Sequence, residues 1–328
     1  MPKTLITGGA GFIGLHLAKS LHDQGHSVTL LDNFARGKED TEYADFCARD
    51  GVDALVGDLL EPAFNGSLPA DYDYIVHLAA VVGVRNVMEQ PYRVLSDNVA
   101  LTLAAIDLAR RQTGLRKLVF TSTSEVVAET LEVFGIDVPT PESTPLVIAD
   151  PSRPRTSYLL SKIYGEALLF HSGLPFVSVR PHNVYGPRMG MAHVIPELLK
   201  KAYFAEEGSK MVIASPEHTR TFCFVSDAVE IISRAMQNSD VSGVTINLGK
   251  QSPEIRIRDL ADIVAATAGG KVTPVDGEDH PGSPARRGPD MSKTTSLIGY
   301  ESQVSLEEGV QKTFDWYKAN VFDTGEGS

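Results

Sequence analysis

The stretch TGGAGFIG at residues 7–14 constrains the fold more than any other part of the chain. Its glycines, Gly8, Gly11 and Gly14, recur every third residue between an apolar run, KTLIT, and a helical pattern of Ile13, Leu17 and Leu21. A strand must therefore turn directly into a helix across residues without a Cβ. Such a turn presents backbone N–H groups and a helix N-terminus, which together hold a pyrophosphate. The next apolar run, SVTLLD, ends in Asp32, 18 residues beyond Gly14, where a carboxylate accepts bonds from both hydroxyls of a ribose. Glycines alone would fit any tight turn. Strand, glycines, helix, strand and terminal acid together predict a dinucleotide site. The acid favours NAD over NADP because it repels a 2′-phosphate, and the adjacent Asn33 and Phe34 supply no cation, although Arg36 is near.

The alternation continues along the first half. KTLIT, SVTLL, VDALVG, YIVHLAA, KLVFTSTS and PFVSVRP read as strands, with helical patterns at about 12–24, 92–113 and 156–172. This predicts an α/β fold of Rossmann type, a doubly wound parallel sheet covered by helices. Ligands of such sheets lie at the carboxyl ends of the strands. The residues after the strands, Gly8, Asp32, Asp58, Ala79, Ala80 and Ser122, are therefore candidate cofactor contacts, and the candidate set also takes in Gly11, Phe12, Ile13, Gly14, Asn33, Leu59, Leu78 and Asn98. Beyond residue 183 the texture changes to short strands (MVIAS, TFCFV, VTINLG), helices near 226–237 and 256–268, and a Gly-, Pro- and Arg-rich loop at 276–290. The tail DTGEGS is expected to fray. The organisation suggested is a nucleotide-binding domain of residues 1–182, to which 218–249 return, and a smaller interleaved lobe of 183–217 and 250–328 for the substrate.

Composition removes several classes. A net charge of −12 opposes binding to nucleic acid, and any anionic substrate must meet a local cluster of arginines. Cys47 and Cys223 make neither a metal motif nor a disulfide framework, so no metal and a reduced, cytoplasmic setting are expected. No apolar run approaches the roughly 20 residues that a membrane helix needs.

The run SYLLSK places Tyr158 and Lys162 four apart, on one face of a helix. An ammonium near a phenol favours the phenolate and makes tyrosine a usable base. Such pairs are common on surfaces. Here the pair follows a strand ending FTSTSE, which offers the hydroxyls of Ser122, Thr123 and Ser124 and the carboxylate of Glu125.

Taken in order, TGGAGFIG, HLAA, STSE, YxxxK and RPHNVYGPR resemble the extended short-chain dehydrogenase/reductases, and among them the NAD-dependent epimerase/dehydratase family of nucleotide-sugar enzymes. The resemblance covers nearly the whole chain. It implies NAD as cofactor and oxidation of a sugar, usually at C4, to a 4-keto intermediate. It implies Tyr158 as the base, Lys162 as the residue that holds the nicotinamide ribose and tunes the tyrosine, and Thr123 as a donor to the C4 oxygen. Ser124 and Glu125 would decide whether decarboxylation, loss of water across C5–C6, or re-reduction follows. STSE, DNFARG, TRTFCFVSDAVE, RRGPDMSK and SLEEGVQKTFDWY are most similar to the UDP-glucuronate decarboxylases. A 4,6- or 5,6-dehydratase, a 4-epimerase and a nucleotide-binding protein without turnover are the alternatives.

The substrate contacts implied are Val82, Arg85, Asn183, Arg188, Arg220 and Arg287, with arginines suited to phosphates or a carboxylate. Some positions depart from the family pattern. Val127 and Ala128 stand where it has tyrosine and glycine, His182 stands where many relatives have phenylalanine, and the segment 126–157 is longer than in most. His182 either touches substrate or packs. A homodimer is expected, because the helix at 156–172 carries two apolar faces, Leu159/Ile163/Phe170 and Leu160/Tyr164/Leu168, more than one core contact requires.

Overall fold

The computed structural model describes residues 1–279 and 284–324. Residues 280–283 of the Gly-, Pro- and Arg-rich loop and the last four residues of the tail lie outside the described residues. Strands β1 (Lys3–Thr7), β2 (Ser27–Asp32), β3 (Val52–Val56), β4 (Tyr74–His77), β5 (Lys117–Thr121) and β6 (Phe176–Pro181) form a seven-stranded sheet with Val244–Leu248. Every pairing in it is parallel. The spatial order is Val244–Leu248, β6, β5, β4, β1, β2, β3. The chain thus lays β2 and β3 to one side of β1, then returns to place β4 on the other. The carboxyl ends of β1 and β4 open a cleft at that reversal.

Both faces of the sheet are covered, which is why the strands read as continuous apolar runs. Neighbouring residues go to opposite sides: Ile6, Leu30, Val76 and Val119 to one cluster, Leu5, Leu31, Ile75 and Leu118 to the other. Helix α1 (Phe12–Asp23) and the helix Val225–Gln237 pack on the first face. The short α2 (Thr41–Cys47), α3 (Pro62–Ser67) and α4 (Val84–Glu89) precede α5 (Pro91–Arg110). After α6 (Ala128–Phe134) comes α7 (Thr156–Phe170), which packs along α5 on the second face.

Beyond β6, strands Ser209–Ile213 and Val272–Asp276 pair in parallel, and helices Val194–Phe204, Ile257–Thr267 and Leu306–Tyr317 gather around them. Their buried Leu199, Val264, Val310 and Tyr317 join the apolar cluster beneath α1. Of the run TFCFV, expected as a short strand, only Cys223–Phe224 is strand, and Val225 already opens a helix. The preceding Thr219–Arg220 lies between Ile255–Arg256 and Arg286–Arg287 in a three-stranded sheet.

Candidate active site

The turn after β1 is closed too tightly for side chains. Gly8 has φ +72, and a Cβ there would lie 3.0 Å from Ala79 N; on Gly14 it would lie 2.2 Å from Gly8 O. Gly11 caps α1 without a side-chain bond to the helix, so the first-turn N–H groups stay available to a phosphate. Phe12 and Ile13 anchor that turn against the core. Asp32 ends β2 with Oδ2 accepting from Ala10 N (3.0 Å) and Oδ1 from Phe34 N (2.8 Å). Burial raises its pKa, and those two bonds act against the rise.

The other predicted cofactor residues gather round the same cleft. Asn33 Nδ2 donates to Asp58 Oδ2 at 3.1 Å, Leu59 is buried, and Leu78 N is bonded to Thr7 O. Asn98 supports the loop after Ala79 and Ala80: its Oδ1 accepts from Val81 N (2.7 Å) and its Nδ2 donates to Val81 O (3.0 Å). Ser122 Oγ is buried without a partner among the described residues, an orphan that a ligand hydroxyl would satisfy. Cradle, acid and orphaned hydroxyl fit a dinucleotide. His77 of the HLAA motif instead belongs to the core, bonded to Thr7 Oγ1 at 2.8 Å and stacked on Phe120.

Lys162 donates from Nζ to Thr121 O at 2.8 Å, and its ammonium lies 6.0 Å from the centre of the Tyr158 ring. Burial pulls its pKa down to about 8. The Tyr158 hydroxyl is hydrogen-bonded to Thr123. Burial, and then the charge of Glu125, push the phenol above its ordinary range. Desolvation is the largest of these influences on the phenol. Two buried carboxylates fix α7 in place. Glu129 accepts from Thr156 Oγ1 and Ala149 N, and Glu166 takes a two-pronged bond from Arg180 at 2.9 and 2.7 Å.

A 3₁₀ turn, Ser124–Val127, carries the chain from this pair into two adjoining cavities. Both are lined by Glu125, Arg155, Pro284 and Arg287. The first, about 340 Å³, is walled by Ser124, Val127, Ala128, Leu131, Ile136, Leu159 and His182. The second, about 400 Å³, takes in Asn183, Ser215, His218, Arg220, Phe222 and Ile257. The Glu125 carboxylate has no hydrogen-bond or ion-pair partner among the described residues.

Strand register sets Arg220 opposite Arg287 in the second cavity. Bonds of 2.7 Å to Thr219 O and Pro284 O orient the Arg220 guanidinium. Burial, then the charge of Arg287, lower its pKa to about 10. Two arginines facing each other there could hold an anion. Asn183, at φ +43, joins them with its Nδ2 on Thr221 O at 2.9 Å.

Three predicted substrate residues lie elsewhere. Arg188, at φ +66 and with its side chain 3% exposed, is turned away to Asp40 (2.8 Å) and Glu42 (3.8 Å), bracing the loop after β2. Arg85 projects from α4 into solvent with Glu89 for a partner, and Val82 lines neither cavity. Reading the sequence missed Arg155, His218 and the walls supplied by Leu131 and Ile136. Only the position of Arg155 just before the SYLLSK run could have signalled it.

The sequence model of the NAD dependent epimerase/dehydratase family matches residues 4–249. The UDP-N-acetyl-alpha-D-glucosaminuronate decarboxylase of Bacillus cytotoxicus is 32% identical over 332 residues, 96% of this chain and 98% of that protein. UDP-glucuronic acid decarboxylase 1 of Xenopus tropicalis is 32% identical over 97% of this chain and 73% of its own. The crystal structure of the UDP-glucose 4-epimerase of Thermotoga maritima superposes with a TM-score of 0.81 at 25% identity, covering 97% and 99% of the two chains.

Proposed function

The chain belongs to the NAD-dependent epimerase/dehydratase family, and from that premise we propose that it oxidises C4 of a UDP-linked hexuronic acid and releases the C6 carboxylate as CO2. The observation that carries this reading is Glu125: a carboxylate without a hydrogen-bond or ion-pair partner among the described residues, shared by both cavities and two residues from Thr123. Relatives named for decarboxylation of UDP-linked uronic acids support it.

The diphosphate lies between Arg220 and Arg287, with Asn183 beside it. Thr123 holds the C4 oxygen, and Tyr158 takes the C4 hydroxyl proton. When bound in the glycine cradle, NAD supplies hydride acceptance and a positive charge that favours the phenolate. Lys162, anchored on Thr121 O, keeps a second cation under the phenol. A ketone at C4 stands β to the C6 carboxylate, so the C5–C6 bond breaks with its electron pair passing into an enolate. As CO2 leaves, Glu125, having first taken a proton from solvent, delivers it to C5, so that cleavage and protonation proceed together, and Ser124 orients the ring.

The protein acts as a cytoplasmic homodimer in this reading. Both cysteines are free thiols. Two partly exposed apolar stripes, Leu95–Val99–Leu103 on α5 and Leu160–Tyr164–Leu168 on α7, lie side by side on the sheet's second face. Pairing them across a two-fold axis would bury both in a four-helix contact. Incubating the purified protein with UDP-glucuronate, UDP-N-acetylglucosaminuronate, UDP-glucose and UDP-N-acetylglucosamine, with products read by mass, tests the reaction. Loss of CO2 from a uronate is the expected result; loss of water, or epimerisation at constant mass, overturns it.

A further inference from the structure

We propose that the cavity behind Glu125 receives an N-acyl group carried by the sugar ring, and that His182 Nδ1 accepts the hydrogen bond of its amide N–H. The proposal rests on the reading above only for the placement of the sugar, with its diphosphate at Arg220 and Arg287 and its C4 at Tyr158.

The protonation of His182 follows from its neighbour. Asn247 Nδ2 donates to Thr140 O and to Asp290 O, both at 3.0 Å, which fixes the side-chain amide. Asn247 Oδ1 therefore faces His182 Nε2, 3.1 Å away, and can only accept. Nε2 carries the hydrogen, and Nδ1 is left with a bare lone pair. The ring is 3% exposed, and burial pushes its pKa down to about 3, so it stays neutral at physiological pH. Nδ1 has no partner among the described residues. A buried acceptor in a cavity wall without a donor is costly unless a ligand supplies one.

The remaining walls say what else the ligand carries. Val127, Ala128, Leu131, Ile136 and Leu159 make them largely apolar. Two of the cations there are committed: Arg153 to Glu132 at 2.7 Å and Arg286 to Glu254 at 2.6 Å. A carboxylate has no proton for Nδ1. A hydroxyl has the proton but leaves the apolar walls facing water. An acylamino group supplies the N–H and fills apolar space at once. Val127, standing where the resemblance places a tyrosine, keeps that space open.

UDP-N-acetylglucosamine and UDP-glucose differ only in this substituent, and neither carries a carboxylate. Calorimetry on the full chain with its bound dinucleotide should give the first a Kd about tenfold or more below the second. Val127→Tyr fills the cavity and His182→Phe removes the acceptor, so each should collapse that ratio toward one. Circular dichroism checks that both variants fold, and either alone suffices if the other does not. Equal Kd values in the wild-type protein, or a ratio kept in a folded variant, overturn the proposal. Release of CO2 is followed separately on UDP-glucuronate and UDP-N-acetylglucosaminuronate. CO2 from neither overturns the decarboxylase reading and leaves the Kd ratio to judge the cavity; CO2 with equal Kd values does the reverse.

Discussion

Replacing Glu125 with glutamine separates the two halves of the reaction. The carboxylate makes no hydrogen bond or ion pair with the described residues, so the substitution removes no contact that holds the fold. Unfolding free energy should therefore move by no more than about 0.5 kcal/mol, as for an unpaired surface change. Delivery of a proton by a placed side chain is worth roughly 10²–10⁴-fold, or about 3–5 kcal/mol on the barrier. That loss should fall on the step after C4 oxidation, because oxidation is served by Thr123, Tyr158 and Lys162. Single-turnover reactions quenched over time and read by mass should show the 4-keto uronate accumulating while CO2 release slows by about that factor. Tyr158→Phe is the counterpart and should give neither product. If CO2 release by Glu125→Gln stays within a few-fold of wild type, the carboxylate never meets C5 and the reading loses its main support. If oxidation and CO2 release slow together by the same factor, Glu125 positions the sugar and donates nothing.

Other consequences can be checked directly. NAD⁺ should bind at least about tenfold more tightly than NADP⁺ by calorimetry, since the buried Asp32 carboxylate would oppose a 2′-phosphate; equal affinities would contradict this. Glu166→Gln leaves the Arg180 guanidinium half-paired in a site where both side chains are 6% exposed, at a cost of about 3–5 kcal/mol in urea unfolding. A loss under about 1 kcal/mol would mean that the pair does not hold α7 to β6. Lys162 is charged below its pKa of about 8 and neutral above it, so kcat/KM should fall as pH rises through about 8; a level profile to about pH 10 would show that its charge is not needed. Light scattering should report a dimer at micromolar concentration and a monomer for Tyr164→Glu, which puts a charge in the α7 stripe; a monomeric wild type refutes the assembly.

What could be read from the sequence was what depends on local repetition. The glycine turn, the acid ending β2, the tyrosine–lysine spacing and the parallel sheet each rest on residues a few positions apart, and each lies in the fold where the spacing put it. Helices of six or seven residues, such as α2, α4 and α6, are too short to establish a period. Arg188 illustrates a different failure: it stands at φ +66 with its side chain turned to Asp40 and Glu42. Its partner Asp40 is 148 positions away, so no spacing could have revealed the pair. The protonation of Tyr158 is governed first by desolvation, which no linear pattern carries.

The segment 126–157 gathers these limits in one place. It has no strong period, yet it builds a wall of the site through contacts distant in sequence. Thr140 N donates to Gly288 O (2.8 Å), and Asp290 N donates back to Thr140 O (2.9 Å). Glu142 Oε1 accepts from Asn247 N at 2.7 Å, while its carbonyl accepts from Arg180 Nη1 at 3.1 Å. These bonds tie the segment to β6, to the strand Val244–Leu248 and to the loop that carries Arg287. Through Thr140 and Asn247 they also decide which nitrogen of His182 bears the hydrogen. In the proposed reading, substrate choice therefore depends on bonds between residues 65 and 107 positions apart, while the glycine turn of the cofactor cradle depends on eight consecutive ones.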